Sequence, residues 1–366
     1  MLQKATILVF VVASIAGCIG CGSTANHYVY AAIPAANQII AYREDPNSGV
    51  LTQIAGSPYS VGVGVVSLAL HPSGKFLYAA NPGQNENDIS LFNINAGDGS
   101  LTEVTPRTSL GNTVSQPKVL AMDPAGAFLY VMNVGSSNIS VFSIDSGSGK
   151  LAPFPPPVGT PTQIGPPLLT MQLTPSGNFL YVSAVGLLNG EILCYSTTGG
   201  VLQFVSEISS DGTNPNGLAI DPSSTYLYVA NTGSPSISVF SIGPSGSLTE
   251  LTTPFSDGFS GPMALTFDPT GKFLYVANNG SNNVEVYTIA NGLPTALTTS
   301  TTSNAYSTES SPAFLAEDPN GKYLFVGNQG ASAGVQSFSI SSSSTTLIPV
   351  FTYGVGNTPS SIVVLQ

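Results

Sequence analysis

One phrase recurs six times along this chain, and it limits the fold more than any other feature. It first reads Leu70-His71-Pro72-Ser73-Gly74-Lys75-Phe76-Leu77-Tyr78-Ala79-Ala80-Asn81, and it returns at Met122–Asn133, Leu173–Ala184, Ile220–Asn231, Phe267–Asn278 and Glu317–Asn328. The aromatic at Tyr78 is matched by Tyr130, Tyr181, Tyr228, Tyr275 and Phe325, so successive units lie 52, 51, 47, 47 and 50 residues apart. A period of this length with several short strands per unit marks a repeat array, here a β-propeller. The chain has no Trp, which argues against WD-type blades.

The unit from Gly261 to Asn304 shows how one blade is written. Pro262 to Phe267 reads as an inner strand A, and Asp268-Pro269-Thr270-Gly271 has the residue preferences of a type I turn. Phe273 to Ala277 is strand B, rich in aromatic and β-branched residues. Val284 to Ile289 alternates with period two as strand C, and Asn291-Gly292 turns into a weaker strand D over Leu297 to Thr301. The first unit offers Tyr28–Ile33, Gln38–Tyr42 and Val50–Ile54 as B, C and D, with no A before them. The last segment, Thr358 to Leu365, reads as an A strand with nothing after it. Joining the two completes a seventh blade. An open ring would leave two exposed sheet edges, so the C-terminal strand is expected to pair into the first blade. The expected fold is therefore all-β: a seven-bladed propeller of four-stranded antiparallel blades.

Composition agrees and removes one function class. The chain is 42% hydrophobic and only 7% charged, with 39 Gly and 28 Pro, as expected of a turn-rich β protein with ample core. Its formal charge is −11 with eight Lys and Arg. Nucleic-acid binding needs a basic face, and none can be assembled here.

The N-terminus reads as a processing signal. Lys4 precedes a short apolar run, Ala5 to Ala16, of secretory rather than membrane-spanning length. It ends in Ile15-Ala16-Gly17-Cys18, which resembles a bacterial lipobox and makes Cys18 the expected lipid-attachment residue. The expected layout is a lipoprotein signal peptide over residues 1–17, a short tether over 18–26 and one propeller over 27–366. The protein is then exported and held on a membrane only by lipid, facing the periplasm or the exterior. Cys194, in a predicted strand, is expected as a buried small hydrophobe.

Units such as Asn214-Pro215-Asn216-Gly217-Leu218-Ala219-Ile220-Asp221-Pro222, with Tyr226-Leu227-Tyr228-Val229-Ala230-Asn231 and Ile237 to Ile242, resemble the seven-bladed propeller lactonase family. Arg43-Glu44-Asp45-Pro46-Asn47-Ser48-Gly49 fits that family's C–D hairpin. The likeness covers about 27–366 and overlaps with YVTN-type propeller repeats. It implies 6-phosphogluconolactonase-type hydrolysis of a cyclic ester at a central funnel, by a His with Arg and Glu partners.

That set is not recognisable here. The A–B and C–D turns share one face of a propeller, and the D–A and B–C connections share the other, which by analogy with propeller enzymes is the face where the funnel is expected. His71, Lys75, Lys272 and Lys322 belong to A–B turns, His27 precedes a strand B, and Arg43 and Lys150 belong to C–D hairpins. All sit away from the funnel, and both histidines are expected as solvated turn residues. Lys118 and Arg107 remain for the funnel face, Arg107 in an outer strand. The candidate funnel residues are Lys118, Asn214, Asn216, Met263, Tyr306 and Glu309. Ca²⁺ on oxygen ligands is an open metal route, with Asp257 and Glu309 as candidates. The strand-B asparagines Asn81, Asn133, Asn231, Asn278 and Asn328 are expected to stabilise turns through their own backbone. Two functions stay open: a lactonase, or a non-catalytic extracytoplasmic propeller that binds a glycan, a small molecule or a partner protein. A monomer is expected.

Overall fold

The computed structural model describes residues 27–365, apart from 84–85, 111–115, 155–166, 187, 257, 259, 298–303 and 342–345. The predicted signal, the tether and Cys18 lie outside the described residues, as does Asp257.

The described strands form seven antiparallel sheets; six have their four main strands in sequence order, and the first takes its innermost strand from the C-terminus. Blade 6, for example, runs Pro262–Phe267, Phe273–Asn278, Asn283–Ala290 and Leu293–Ala296 as strands A to D. Strand A of every blade contacts strand A of the next, so the innermost strands make a closed ring around one channel.

The ring closes as expected. Ser361–Leu365 pairs antiparallel with His27–Ile33, placing Tyr28 opposite Leu365 and Ala32 opposite Ser361. Neighbouring blades hold this last strand from both sides: Gln329 Nε2 donates to Pro359 O at 3.1 Å, and Leu68 N donates to Ser361 Oγ at 3.2 Å.

The recurring aromatic phrase now has a physical reason. Tyr30, Tyr78, Tyr181 and Tyr228 are fully buried, and each donates its hydroxyl to a hairpin carbonyl of the following blade: Gly99, Gly149, Gly246 and Gly292, at 2.6–2.8 Å. Burial raises the phenol pKa of each well above its ordinary value. The aromatic two residues earlier packs on the same hairpin glycine. A Cβ at Gly149 would stand 2.7 Å from the Phe76 ring, and φ there is +70°, so only glycine fits. Four blades thus dock on the next through a ring, a hydroxyl staple and a receiving glycine, whereas Tyr275 Oη has no hydrogen-bond partner among the described residues and Phe325 carries no hydroxyl.

Blade 6 corrects one boundary. Strand D is Leu293–Ala296, earlier than the predicted Leu297–Thr301, most of which falls outside the described residues. Asn291 and Gly292 have φ of 51° and 81°, a two-residue reversal with both central residues left-handed, so pairing resumes at once with Ala290 opposite Leu293. The connection that follows brings Ala305–Ser307 back to pair with strand C, giving this blade a fifth strand.

Candidate functional site at the channel mouth

The face carrying the D–A and B–C connections is built by the heads of the inner strands. In five blades the head has the same irregularity: one extra residue interrupts the A–B register beside a residue that opposes the end of strand B. The extra residues are Lys118, Leu169, Asn216, Met263 and Ala313, and the corresponding positions in blades 2 and 1 are Val66 and Ser360. A bulge frees a side chain from the alternation of the strand and re-aims it. These positions, one per blade, form a ring at the heads of the innermost strands.

Lys118 is the one ionisable member of that ring. It is half-buried, and no carboxylate among the described residues lies within ion-pair range. Burial pushes its pKa down to about 8, because the ammonium loses water without gaining a partner. Asn216 and Met263 share the ring with it. Met263 packs toward blade 5, where Thr232 Oγ1 donates to Pro262 O at 2.6 Å.

The other predicted funnel residues have different placements. Asn214 precedes a strand head in a left-handed conformation (φ 53°), a position filled by Gln116, Gly261 and Ser311 in other blades. Its carbonyl accepts from Thr232 N at 3.0 Å, so it shapes the loop. Tyr306 lies in the added strand of blade 6, opposite Val284, and packs on the core there. Glu309 stands over blade 7, where its backbone N–H donates to Gln336 Oε1 at 3.1 Å. Arg107 is held by its own blade: its Nε donates to Glu103 at 2.7 Å, and its Nη1 lies 3.4 Å from Glu86 and 3.9 Å from Asp88.

The strand-B asparagines are fully buried and mostly bond sideways rather than to their own backbone. Asn81 Nδ2 donates to Asp88 and Ser90, Asn133 to Asn138 and Ser140, and Asn231 to Ser236 and Ser238, tying strand B to the start of strand C. Asn133 and Asn328 also reach the backbone carbonyl two residues back. Cys194 is buried as expected, its thiol pushed up to about 11 by burial.

Both histidines lie on the opposite face, as their turns imply, but neither is solvated. His27 is 3% exposed and His71 7%, because the adjoining blade covers these turns. His71 bonds Ser73 Oγ at 2.7 Å and the Gly126 carbonyl of the next blade at 3.0 Å. Burial lowers its pKa, whereas Glu44 raises that of His27 through a polar contact that outweighs burial. Among the described residues, the grouping of three metal-capable side chains is His27, Glu44 and Asp318, also on that face.

Comparison with known proteins agrees with this architecture. The family model described as Lactonase, 7-bladed beta-propeller, matches residues 60–165, 170–258 and 255–364. A 6-phosphogluconolactonase of Formosa agariphila is 42% identical over 86 residues, 24% of each chain. A 6-phosphogluconolactonase of Bacillus subtilis is 28% identical over 139 residues, 37% of this chain and 38% of that one. The matched stretches thus span well under half of either relative. Among solved structures, a periplasmic gluconolactonase of Pseudomonas aeruginosa superposes with a TM-score of 0.73 at 19% identity, covering 93% of this chain and 99% of the other. A protein from Lactobacillus plantarum gives 0.76 at 21%, with 93% and 99% covered. At these identities the structural likeness shows the fold. The chain belongs to the seven-bladed propeller lactonase family.

Proposed function

We propose that this lactonase-family propeller hydrolyses a cyclic ester at the upper mouth of its channel, with Lys118 as the proton-handling group. The observation that carries this reading is the half-buried, carboxylate-free Lys118 in the ring of strand heads, its pKa lowered to about 8. A lysine brought near the working pH by desolvation is suited to general-base chemistry. Its neutral amine takes a proton from water as the water oxygen bonds to the lactone carbonyl. When the ring C–O bond breaks, the ammonium returns that proton to the leaving alkoxide, and a hydroxy acid is released. Asn216, on the same ring, supplies an amide donor for the developing oxyanion.

The substrate class follows from charge. A phosphosugar site calls for clustered cations, and Arg107 is already engaged by three carboxylates. An uncharged sugar lactone or similar cyclic ester fits better. A binding propeller without catalysis is the second reading, supported by the placement of both histidines on the far face. Assaying the purified protein against a lactone panel, with EDTA and with Ca²⁺, separates the two. Hydrolysis that disappears in Lys118→Met supports the first reading, and a protein that binds lactones without turnover supports the second.

The same reading places the protein outside the cytoplasm, tethered at Cys18 through the Ile15-Ala16-Gly17-Cys18 segment. Fractionation of Cys18→Ala tests it: release from the membrane is expected, and equal retention would exclude Cys18 as the anchor.

A further inference from the structure

Where the chain closes its ring, it breaks its own pattern. In each blade the residue before the first aromatic of strand B meets, across the ladder, the residue that ends strand C. In blades 2, 3, 5, 6 and 7 that second residue is Ile94, Ile144, Ile242, Ile289 and Ile340, and in blade 4 it is Thr197. In blade 1 it is Glu44, opposite His27, and the two are 1% and 3% exposed. The five isoleucines show that the scaffold accepts an apolar side chain here. A buried carboxylate costs several kcal/mol in place of it unless something compensates.

The A–B turn of blade 7, which packs against this pair, is altered to match. Asp221, Asp268 and Asp318 open equivalent turns, and each accepts backbone N–H groups of its own turn. In the first two turns, Oδ2 also receives a hydroxyl, from Ser223 and Thr270. In blade 7 the corresponding residue is Asn320, which brings no hydroxyl and turns instead to His27 Nε2, at 3.1 Å. Asp318 Oδ2 is left facing the imidazole.

Three potential ligand atoms therefore converge at ion-pair rather than hydrogen-bond distance. His27 Nδ1 lies 3.6 Å from Glu44 Oε2 and 3.7 Å from Asp318 Oδ2, and all three lie within 4.8 Å of one another. These separations are too long for hydrogen bonds. His27 Nδ1 and both Glu44 carboxyl oxygens are buried without a hydrogen-bond partner. A tetrahedral ion with bonds of about 2.1 Å sets its ligand atoms roughly 3.4 Å apart. Two carboxylates and a neutral imidazole balance a divalent charge. Lys322 is within electrostatic reach of His27 and Glu44 but forms no ion pair with either.

We propose that His27, Glu44 and Asp318 bind a divalent first-row ion of the Zn²⁺ type, which clamps blade 1 to blade 7 at the ring-closing seam. The nitrogen and two oxygens suit Zn²⁺, with a water in the fourth position. Asn320 serves as the outer partner: with its amide turned, its oxygen accepts the Nε2 proton and fixes the ring with Nδ1 toward the ion. Because all three ligands are buried, the ion acts as a structural clamp.

The test uses untagged protein stripped with EDTA and titrated with ZnCl₂ by calorimetry and thermal melting. One equivalent should bind, and at a hundredfold excess over Kd the Tm should rise by roughly 5 °C. Glu44→Ile installs the residue that five other blades carry, so its fold is secure. It should melt in EDTA at or above the wild-type temperature, yet lose stoichiometric binding and the Zn²⁺-dependent rise. His71→Ala, at a different seam, should retain both. Absence of stoichiometric binding to the wild type, or equal binding by Glu44→Ile, would overturn the proposal.

Discussion

The two ends of the channel use polar groups in opposite ways. The mouth formed by the D–A and B–C connections has a single ionisable side chain at its strand heads, Lys118, set there by a bulge and without a carboxylate partner among the described residues. The far end has both histidines, Glu44 and the row of turn aspartates, nearly all buried against a neighbouring blade. Polar groups at the far end are mostly engaged by the scaffold, between blades as in His71 to Gly126 or within a turn as in Asp268 accepting from Phe273 N. A site for a small substrate needs the reverse: a polar group that the scaffold does not use. On the proposed reading Lys118 is that group, the one ionisable side chain at a position that holds Leu169, Asn216, Met263 and Ala313 in other blades.

The largest test of the comparison is to open the ring. Deleting Thr358–Gln366 removes the innermost strand of blade 1, together with the bonds that Gln329 and Leu68 make to it. Two sheet edges become exposed. The expected result is aggregation, or a broad melt without a cooperative transition in calorimetry. A sharp melt at the wild-type temperature would mean that closure contributes nothing.

Next is the contrast between the two ends in catalysis. Lys118→Met should lower kcat/KM toward any hydrolysed lactone by about 10²–10⁴-fold, the usual loss of a general base. His71→Ala should leave it nearly unchanged. The sign of the pH dependence is also set. The base form of Lys118 gains population as pH rises through about 8, so kcat/KM should climb over that range and level off above it. A rate that falls over the same range would instead assign Lys118 an electrophilic role through its ammonium.

The fold was legible in the sequence because the aromatic pair of strand B recurs in every unit, and in four of them a tyrosine hydroxyl staple to the next blade's hairpin glycine recurs with it. The sorting of turns onto two faces was legible too, since it follows from strand alternation alone. The burial of His27 and His71 was not, because what covers them belongs to the adjoining blade, which no local pattern announces. Lys118, Asn216 and Met263 were found as candidates, but their common position was not, since a bulge leaves no mark in the hydrophobic alternation. Glu44 was missed although a signal existed. With the repeats aligned on their first aromatic, Glu44 falls in a column of Ile94, Ile144, Ile242, Ile289 and Ile340.

A smaller effect sharpens the role of the staples. Tyr228→Phe removes one buried hydroxyl and leaves the Gly292 carbonyl without its donor. The expected loss is about 1–3 kcal/mol in denaturant unfolding, the cost of an unsatisfied buried polar group. Activity should be unaffected, since the staple lies at the far end. A loss of activity without loss of stability would contradict the division between the two ends.

The smallest expected change concerns Glu317, a second acid placed where other blades carry Leu70, Met122, Leu173, Ile220 and Phe267. Both of its carboxyl oxygens are buried without a hydrogen-bond partner. Burial, with Asp268 and Asp318 nearby, raises its pKa well above the usual carboxylate value. A carboxyl whose folded pKa is raised keeps its full stability contribution below the unfolded value of about 4.3 and loses it as pH rises through the folded one. Glu317→Leu should therefore stabilise the protein by about 1 kcal/mol near neutral pH, with a smaller gain at pH 4, as read from melts at the two pH values. Glu317 serves neither the mouth nor the His27 seam, so activity and metal binding should both persist. A gain that is larger at pH 4 than at pH 7 would mean that the carboxyl is already satisfied in its ionised form.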